Sequence, residues 1–273
     1  MITTGLWRLT TDDAAALLEL LDHEPLQNVY LRSEVRLGAL TTGQWWGVGG
    51  DGRLRATLLG GPLVVPWVPD ADDRERLVEV LSRQQPPRMI VGPRDHVTGL
   101  HQARPNAPAP RERRDPQPFL VLRRGARSSV RAAPQVRLGT LADLDHLTLA
   151  AADMHREEMG IDPLAVDPAG WRSRMSTLIQ RGWSWVWTQG DQVVFKAELS
   201  GWTPEAVQIQ GVWTAPSVRN RGIASAGLAA VCRDVLAQVP ACTLYVNHYN
   251  GPARTVYDRL GFEHAADFAT LFY

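Results

Sequence analysis

The hydrophobic positions in the second half of the chain recur at helix and strand periods in a readable order. Thr140 and Asp143 have capping-box spacing, with Asp in place of Glu, and Leu141, Leu144, Leu147, Ala151 and Met154 follow at roughly helical spacing. Asp167-Pro168 reads as the N-cap and first residue of a second helix, which carries Trp171, Met175, Leu178 and Ile179 on one face and ends at Gly182. Ser184 to Thr188 and Gln192 to Leu199, joined by Gln189-Gly190-Asp191, predict a β-hairpin, and Ala206 to Thr214 a third strand. A helix is predicted over Ala224 to Gln238, with Leu228, Val231, Val235 and Leu236 inward, then a short buried strand over Thr243 to Asn247. Pro252 to Leu260 places Ala253, Val256, Tyr257 and Leu260 at i, i+3, i+4, i+7, and Gly261 closes it. Phe268 to Tyr273 reads as a last strand.

The first half gives nearly the same order. Helices are expected over Asp12 to Leu21 and Asn28 to Leu37, then a hairpin of Gln44 to Val48 and Arg53 to Leu59 that turns at Asp51-Gly52. A strand over Leu63 to Val68, a helix over Asp72 to Arg83, a strand over Met89 to Val91, a helix over His96 to Gln102 and a strand over Phe119 to Leu122 complete it. Both halves read ααββ-β-α-β-α-β. The expectation is an α+β fold of two similar units, each a mixed, mostly antiparallel sheet flanked by helices. Arg123 to Gln135 has no apolar period, which predicts units over 1–123 and 136–273 with a linker over 124–135. Ala103 to Pro118 carries five prolines and reads as an irregular surface loop. Met1 to Gly5 runs straight into a helix-start pattern with no signal-peptide character.

Composition narrows the function classes. Hydrophobic residues make up 44% and charged residues 21% of 273, an ordinary globular balance. Basic and acidic residues number 29 each, which argues against a broad nucleic-acid or acidic-membrane surface. Cys232 and Cys242 are the only cysteines, so a disulfide framework is excluded and a cytoplasmic location fits. No run approaches the ~18 apolar residues of a spanning helix. No metal spacing is present. Lys196 is the only lysine; arginine fills the other basic positions.

The chemistry is concentrated at one junction. The strand ending Gln210-Gly211-Val212-Trp213-Thr214 runs through Ala215-Pro216 to Arg219-Asn220-Arg221-Gly222-Ile223-Ala224-Ser225, where a helix starts. Backbone N–H groups and the helix dipole favour an anion there, Gly222 and Ala224 allow close approach, and Arg219 and Arg221 add charge. The loop by itself reads equally as a plain helix start with surface arginines.

Downstream residues add to it. Leu244-Tyr245-Val246-Asn247, Asn250, Ala253-Arg254, Tyr257 and Leu260-Gly261-Phe262 follow the loop. With Arg219, Gly222 and Ala224 they resemble the GNAT (Gcn5-related N-acetyltransferase) superfamily over roughly the last 130 residues. The two-unit layout, with Asn28-Val29-Tyr30-Leu31 and Val194-Phe195-Lys196-Ala197-Glu198, is similar to actinobacterial proteins in which a degenerate GNAT-like domain of unknown function precedes an active one. The resemblance implies acyl transfer from acetyl-CoA or another acyl-CoA, without a metal. It implies a coenzyme site of Val212, Trp213, Thr214, Arg219 to Ser225, Asn247, Asn250, Arg254 and Tyr257. The thioester carbonyl would accept a hydrogen bond from backbone N–H near Val212. Pantetheine would lie where that strand and Thr243 to Asn247 splay apart, and Tyr257 would protonate the departing thiolate.

Tyr257 also reads as a core aromatic. Glu198 is a candidate base beside Lys196 on one strand face, and equally a Lys–Glu ion pair. Gln208 and Gln210 share a face and are candidates to orient an acceptor; Glu158, with His155 and Glu157, closes the first helix of this half, where GNAT proteins shape the acceptor pocket. The loop histidine His248 reads most simply as solvated. In the first half the matching junction, Pro66-Trp67-Val68-Pro69-Asp70-Ala71-Asp72-Asp73-Arg74, lacks the loop pattern and carries three aspartates that would repel a pyrophosphate. The expected function is N-acetyl transfer to a small-molecule or peptide amine by direct attack in a ternary complex. A non-enzymatic acyl-CoA-binding regulator is the alternative. No nucleic-acid or membrane partner is expected, and a homodimer stays open.

Overall fold

A computed structural model describes residues 5–50, 53–104 and 106–273. The start of the chain through Thr4 and the Asp51-Gly52 turn lie outside the described residues. The chain forms two compact units. The first comprises Met1–Leu120, Tyr245–Gly251 and His264–Tyr273, and the second Val121–Leu244 and Pro252–Glu263. The units are therefore interleaved and do not coincide with the two halves of the sequence.

In the first unit the strands are β1 (Gly5–Arg8), β2 (Gln44–Gly50), β3 (Arg53–Gly60), β4 (Leu63–Trp67), β5 (Met89–Pro93), β6 (Glu112–Arg123, as far as Leu120) and the last strand of the chain, β12 (Glu263–Phe272). Their order is β1-β2-β3-β4-β5-β12-β6. Pairing is antiparallel from β1 to β4, parallel for β4–β5 and antiparallel for β5–β12. Helices α1 (Ala14–Leu21) and α2 (Val29–Arg36) follow β1; α3 (Ala71–Arg83) joins β4 to β5, and α4 (Arg94–Gln102) follows β5. The sheet is buried on both faces, so its strands read as apolar runs. Val64 and Ile90 enter one core cluster with Leu77, Val97 and Leu100, while their neighbours Val65 and Val91 enter another with Leu17, Leu21 and Trp45.

The second unit repeats this plan. Its strands are β7 (Arg137–Leu138), β8 (Ser184–Gln189), β9 (Gln192–Trp202), β10 (Ala206–Thr214) and β11 (Ala241–Tyr245, as far as Leu244), in the order β11-β10-β9-β8-β7. All pairs are antiparallel except β10–β11. The helices are α5 (Leu144–Met159), a short α6 (Pro163–Val166), α7 (Pro168–Gln180), α8 (Ile223–Leu236) and α9 (Gly251–Leu260, from Pro252). Each unit thus has four strands joined antiparallel, and the fourth crosses through a helix to a parallel fifth.

The repeat extends to capping. Thr10 with Asp13 and Thr140 with Asp143 form the same box, each opening a 3-10 turn that becomes the first long helix. Asp143 accepts from the Thr140 amide at 2.8 Å and its hydroxyl at 2.9 Å, and from two Arg137 nitrogens at 2.7 and 2.8 Å. The Arg137 bonds, against the cost of burial, hold this carboxyl well below its usual range. Asp143→Ala is expected to cost about 1–2 kcal/mol in urea unfolding at neutral pH, mostly from the lost cap, because Arg137 is half exposed. A depressed carboxyl stabilises above its unfolded pKa, so the deficit should shrink as pH falls below about 4.

Several boundaries differ from the sequence reading. The strands β1 and β7 precede the first helix of each unit; the first is four residues and the second two, too short to show a period. Ala103 to Pro118 is a loop only at its start, because Glu112 already begins β6. The 124–135 segment is fastened to the second unit. The Arg124 amide donates to Pro240 O at 2.8 Å, the Ala133 amide to Ala226 O at 2.9 Å, and Ser128 Oγ to Arg259 O at 3.1 Å. The final strand begins at Glu263 and pairs with β5, with Phe268 opposite Pro93 and Phe272 opposite Met89.

Candidate functional site

In the second unit β10 and β11 pair over three positions only, Ala206 with Ala241, Val207 with Cys242 and Gln208 with Thr243. Beyond Gln208, β10 continues to Thr214 without a partner strand on that side among the described residues. The other edge of β10 stays on β9 but is bulged, with the register shifting between Gln210 and Trp213. Gly211 sits in the bulge at φ +60°. A Cβ there would stand 3.0 Å from Glu198 Oε2 and 3.1 Å from Lys196 Nζ, so both the backbone and the space require glycine.

The polar side chains of β9 lie against this bulge. Phe195 faces α8, where a Cβ on Gly227 would meet its ring at 2.7 Å. Lys196 and Glu198 are buried. The Lys196 ammonium donates to Glu198 Oε1 at 2.7 Å and to Gly211 O at 3.0 Å, and Arg174 on α7 stands 3.5 Å from Glu198 Oε2. Burial by itself raises the Glu198 carboxyl, but the Lys196 and Arg174 charges outweigh it and hold the group below its ordinary range. Of the two readings of Glu198, the structure brings about the ion pair. Gln210 lies opposite Glu198 in the register and donates to Leu199 O at 3.4 Å. Gln208 is buried, and its amide oxygen has no hydrogen-bond partner among the described residues.

Past Thr214 the chain makes a 3-10 turn (Pro216–Val218) and enters α8 through Arg219-Asn220-Arg221-Gly222. Asn220 has φ +61° and Gly222 φ +77°. Gly222 is the N-cap of α8, and no side chain among the described residues caps the helix. The first intrahelical bond runs from Ala226 N to Gly222 O at 3.0 Å, so the N–H groups of Ile223, Ala224 and Ser225 lie in the uncapped first turn. Arg221 is exposed. Arg219 is more constrained than its sequence position indicates, because Nε donates to Thr214 O at 2.9 Å and a terminal nitrogen to Glu157 Oε2 at 2.6 Å. Trp213 Nε1 reaches the same carboxylate at 3.4 Å, so Glu157 ties α5 to the loop.

Tyr257 lies on the buried face of α9, its ring 5.7 Å from that of Phe262 in a T-shaped contact. Burial first, then the Glu158 carboxylate and the Cys232 thiol, push its phenol well above the ordinary range. It is therefore protonated at neutral pH. Glu158 is exposed at the end of α5, and Arg254 is exposed on α9. Asn247 and Asn250 belong to the first unit's segment Tyr245–Gly251. There Asn247 Oδ1 accepts from Gln117 at 2.8 Å, and the Asn250 amide donates to Asn247 O at 2.9 Å. His248 is exposed, and its Nδ1 stands 3.2 Å from Pro116 O. Arg174 and Trp171 carry more of the site than the sequence indicated: Trp171 reads as one more inward residue of α7, and no motif marks Arg174.

The corresponding junction of the first unit is built differently. There β4 and β5 pair at Leu63–Met89 and Val64–Ile90. At the start of α3, however, the Asp70 carboxylate accepts from the Asp72 amide at 3.0 Å and caps the helix. Asp73 is buried against Arg55 through bonds of 2.9 and 2.6 Å. An internal carboxylate already occupies the position that an external anion would need. Among the described residues no cluster of three or more His, Cys, Asp or Glu side chains could hold a metal, and no helix is long and apolar enough to cross a membrane.

Comparisons with known proteins agree with this architecture. Residues 196–272 match the family model of FR47-like proteins, and residues 43–147 that of a domain of unknown function, DUF4081. An acetyltransferase of the GNAT family from Colwellia psychrerythraea superposes with a TM-score of 0.63 at 11% identity, over 98% of this chain and 99% of that one. A tandem GNAT protein from the clavulanic acid biosynthesis pathway gives 0.59 at 13%, over 99% and 98%. A GCN5-related N-acetyltransferase from Sphaerobacter thermophilus gives 0.57 at 16%, over 98% and 94%. No curated protein matches the sequence. The chain has the fold of the GNAT acetyltransferases. Its two units share one plan, and the FR47-like match over 196–272 and the DUF4081 match over 43–147 each draw on residues of both.

Proposed function

We propose that this chain is an acyl-CoA-dependent acyltransferase, an N-acetyltransferase that moves acetyl from acetyl-CoA to an amine in one direct attack. One observation carries the proposal: the parted end of β10 leads through positive-φ residues into an α8 terminus that no side chain caps. That terminus is a pyrophosphate site by its donors and dipole. The bulge leaves Gly211 and Val212 out of the paired register with β9, and a thioester carbonyl would accept a hydrogen bond from backbone N–H near Val212. The motif adds Arg254, on α9 of the same unit, to the coenzyme-binding set. In the reaction the amine nitrogen forms a bond to the acetyl carbon and the carbon–sulfur bond breaks. Tyr257 donates its proton to the thiolate sulfur, the proton lost by the amine passes to water, and the phenolate recovers a proton from solvent.

Glu198 serves this reading better as an anchor than as a base. A carboxylate held below its usual range by two cations is a weak acceptor for an ammonium proton. Its bond to Lys196 instead fixes the ammonium against Gly211 O, which shapes the bulge.

Titration calorimetry with acetyl-CoA, followed by release of free thiol with a panel of amines, tests the function. The expected stoichiometry is one acetyl-CoA per chain, because Asp70 caps the corresponding helix of the first unit. A stoichiometry of two would overturn the reading of that unit. Binding without thiol release for any amine would favour the non-enzymatic alternative.

A further inference from the structure

The polar face of β9 and β10 carries more positive than negative charge. Glu198 is a single carboxylate facing two cations, Lys196 at 2.7 Å and Arg174 at 3.5 Å. Nearby acids are already engaged. Asp162 binds Arg156 at 2.9 Å and the Leu164 amide at 2.9 Å, and Glu157 binds Arg219. His155, whose ring lies 5.2 Å from that of Trp171, adds no negative charge; burial and then Arg174 hold its imidazole toward the neutral form.

The two cations differ in what they can still bind. Lys196 is fully buried, with Glu198 and Gly211 O as its partners. Arg174 keeps a side chain 42% exposed, its guanidinium 5.3 Å from the Trp171 ring centroid, with one long contact to Glu198. A planar fork with unspent N–H donors, backed by an aromatic face, suits a carboxylate. A second observation lies on the same face. Gln208 is 5% exposed and its amide oxygen has no partner among the described residues, a state that a donor on a ligand would relieve.

The geometry points to an acceptor that carries both an amine and a carboxylate, with amino acids as its chemical class. The carboxylate pairs with Arg174 and balances the charge of the cluster, and the amine N–H donates to the Gln208 amide oxygen. This inference rests on the transferase reading for the identity of the face, but its test does not require turnover.

The test is calorimetry of N-acetyl amino acids with small, aliphatic, aromatic and acidic side chains, each against its carboxamide, in the presence of CoA. At least one acid should bind about tenfold or more tightly than its amide, as loss of a charge-assisted pair predicts. Arg174→Gln should erase that preference with acetyl-CoA affinity unchanged and the protein still folded, at a somewhat lower melting temperature because Glu198 loses one of its two cations. Arg174→Lys should keep part of it, and Arg172→Gln, two residues earlier on α7 and paired with Asp145, should keep all of it. Equal binding of every acid and amide, or a preference that survives Arg174→Gln, would overturn the inference. Thiol release run in parallel separates the two claims. Acid preference without release for any amine would sink the transferase reading and support the carboxylate site. Release with simple amines and no acid preference would do the reverse.

Discussion

Tyr257→Phe is expected to leave acetyl-CoA affinity nearly unchanged and to lower turnover by roughly 10²–10⁴-fold, the range for a lost, positioned general acid. The substitution keeps the ring, its contact with Phe262 and the buried face of α9. It removes only the hydroxyl. A purely structural tyrosine predicts the reverse, with turnover intact and a stability change on the order of 1 kcal/mol. Steady-state rates and a melt on the two proteins decide between them, with single-turnover measurements to show that product release is not limiting. The raised phenol adds a second readout. Its protonated form is the working one, and burial with Glu158 extends that form to higher pH. Turnover in the parent should therefore show no loss from this group as pH passes through about 10, the ordinary tyrosine value. A rate that falls with an ordinary phenolic pKa, or a Phe variant that turns over like the parent, would remove Tyr257 from the mechanism.

Gly222→Asp should weaken acetyl-CoA binding on the order of 100-fold or more, through like-charge repulsion in a partly desolvated site. The backbone effect can be separated from the charge effect. Gly222 has φ +77°, so any L residue incurs strain of about 1–2 kcal/mol. Space is not the obstacle, since a Cβ there meets nothing within 4 Å. Gly222→Ala carries the strain without the charge and should bind only modestly less well than the parent. The difference between the Asp and Ala variants then reports the anion site. Equal binding by both in calorimetry, with melts showing both folded, would remove the pyrophosphate assignment.

The long periodic elements were legible in the chain. Ala206–Thr214 is the strand that its pattern predicts, and α8 and α9 begin within a residue of their expected starts. The capping box at Thr140 was equally local, because a box depends on residues three apart, and the structure adds its counterpart at Thr10. The Gly222 loop was legible because a glycine and an alanine beside a helix start leave the backbone open to close approach, which residue type alone decides. The reason for the silence of the first unit's loop was only half legible. Its aspartates suggest repulsion, but the structure shows one of them acting as the cap itself.

What the sequence determined by itself was the content of each element and the chemistry that its turns permit, since period, caps and glycine positions act over a few residues. It did not determine which strand takes which neighbour. The pattern of β12 marks a strand, and an apolar strand is compatible with many edges; tertiary packing places it beside β5, in a unit otherwise made largely from the start of the chain. The roles of charged residues were decided in the same way. Arg174 lies on a helix with no motif, and Glu198 lies on a strand where base and ion-pair partner look alike. Coulomb energy depends on distance and burial, and only the fold sets Lys196, Arg174 and Gly211 around that one carboxylate.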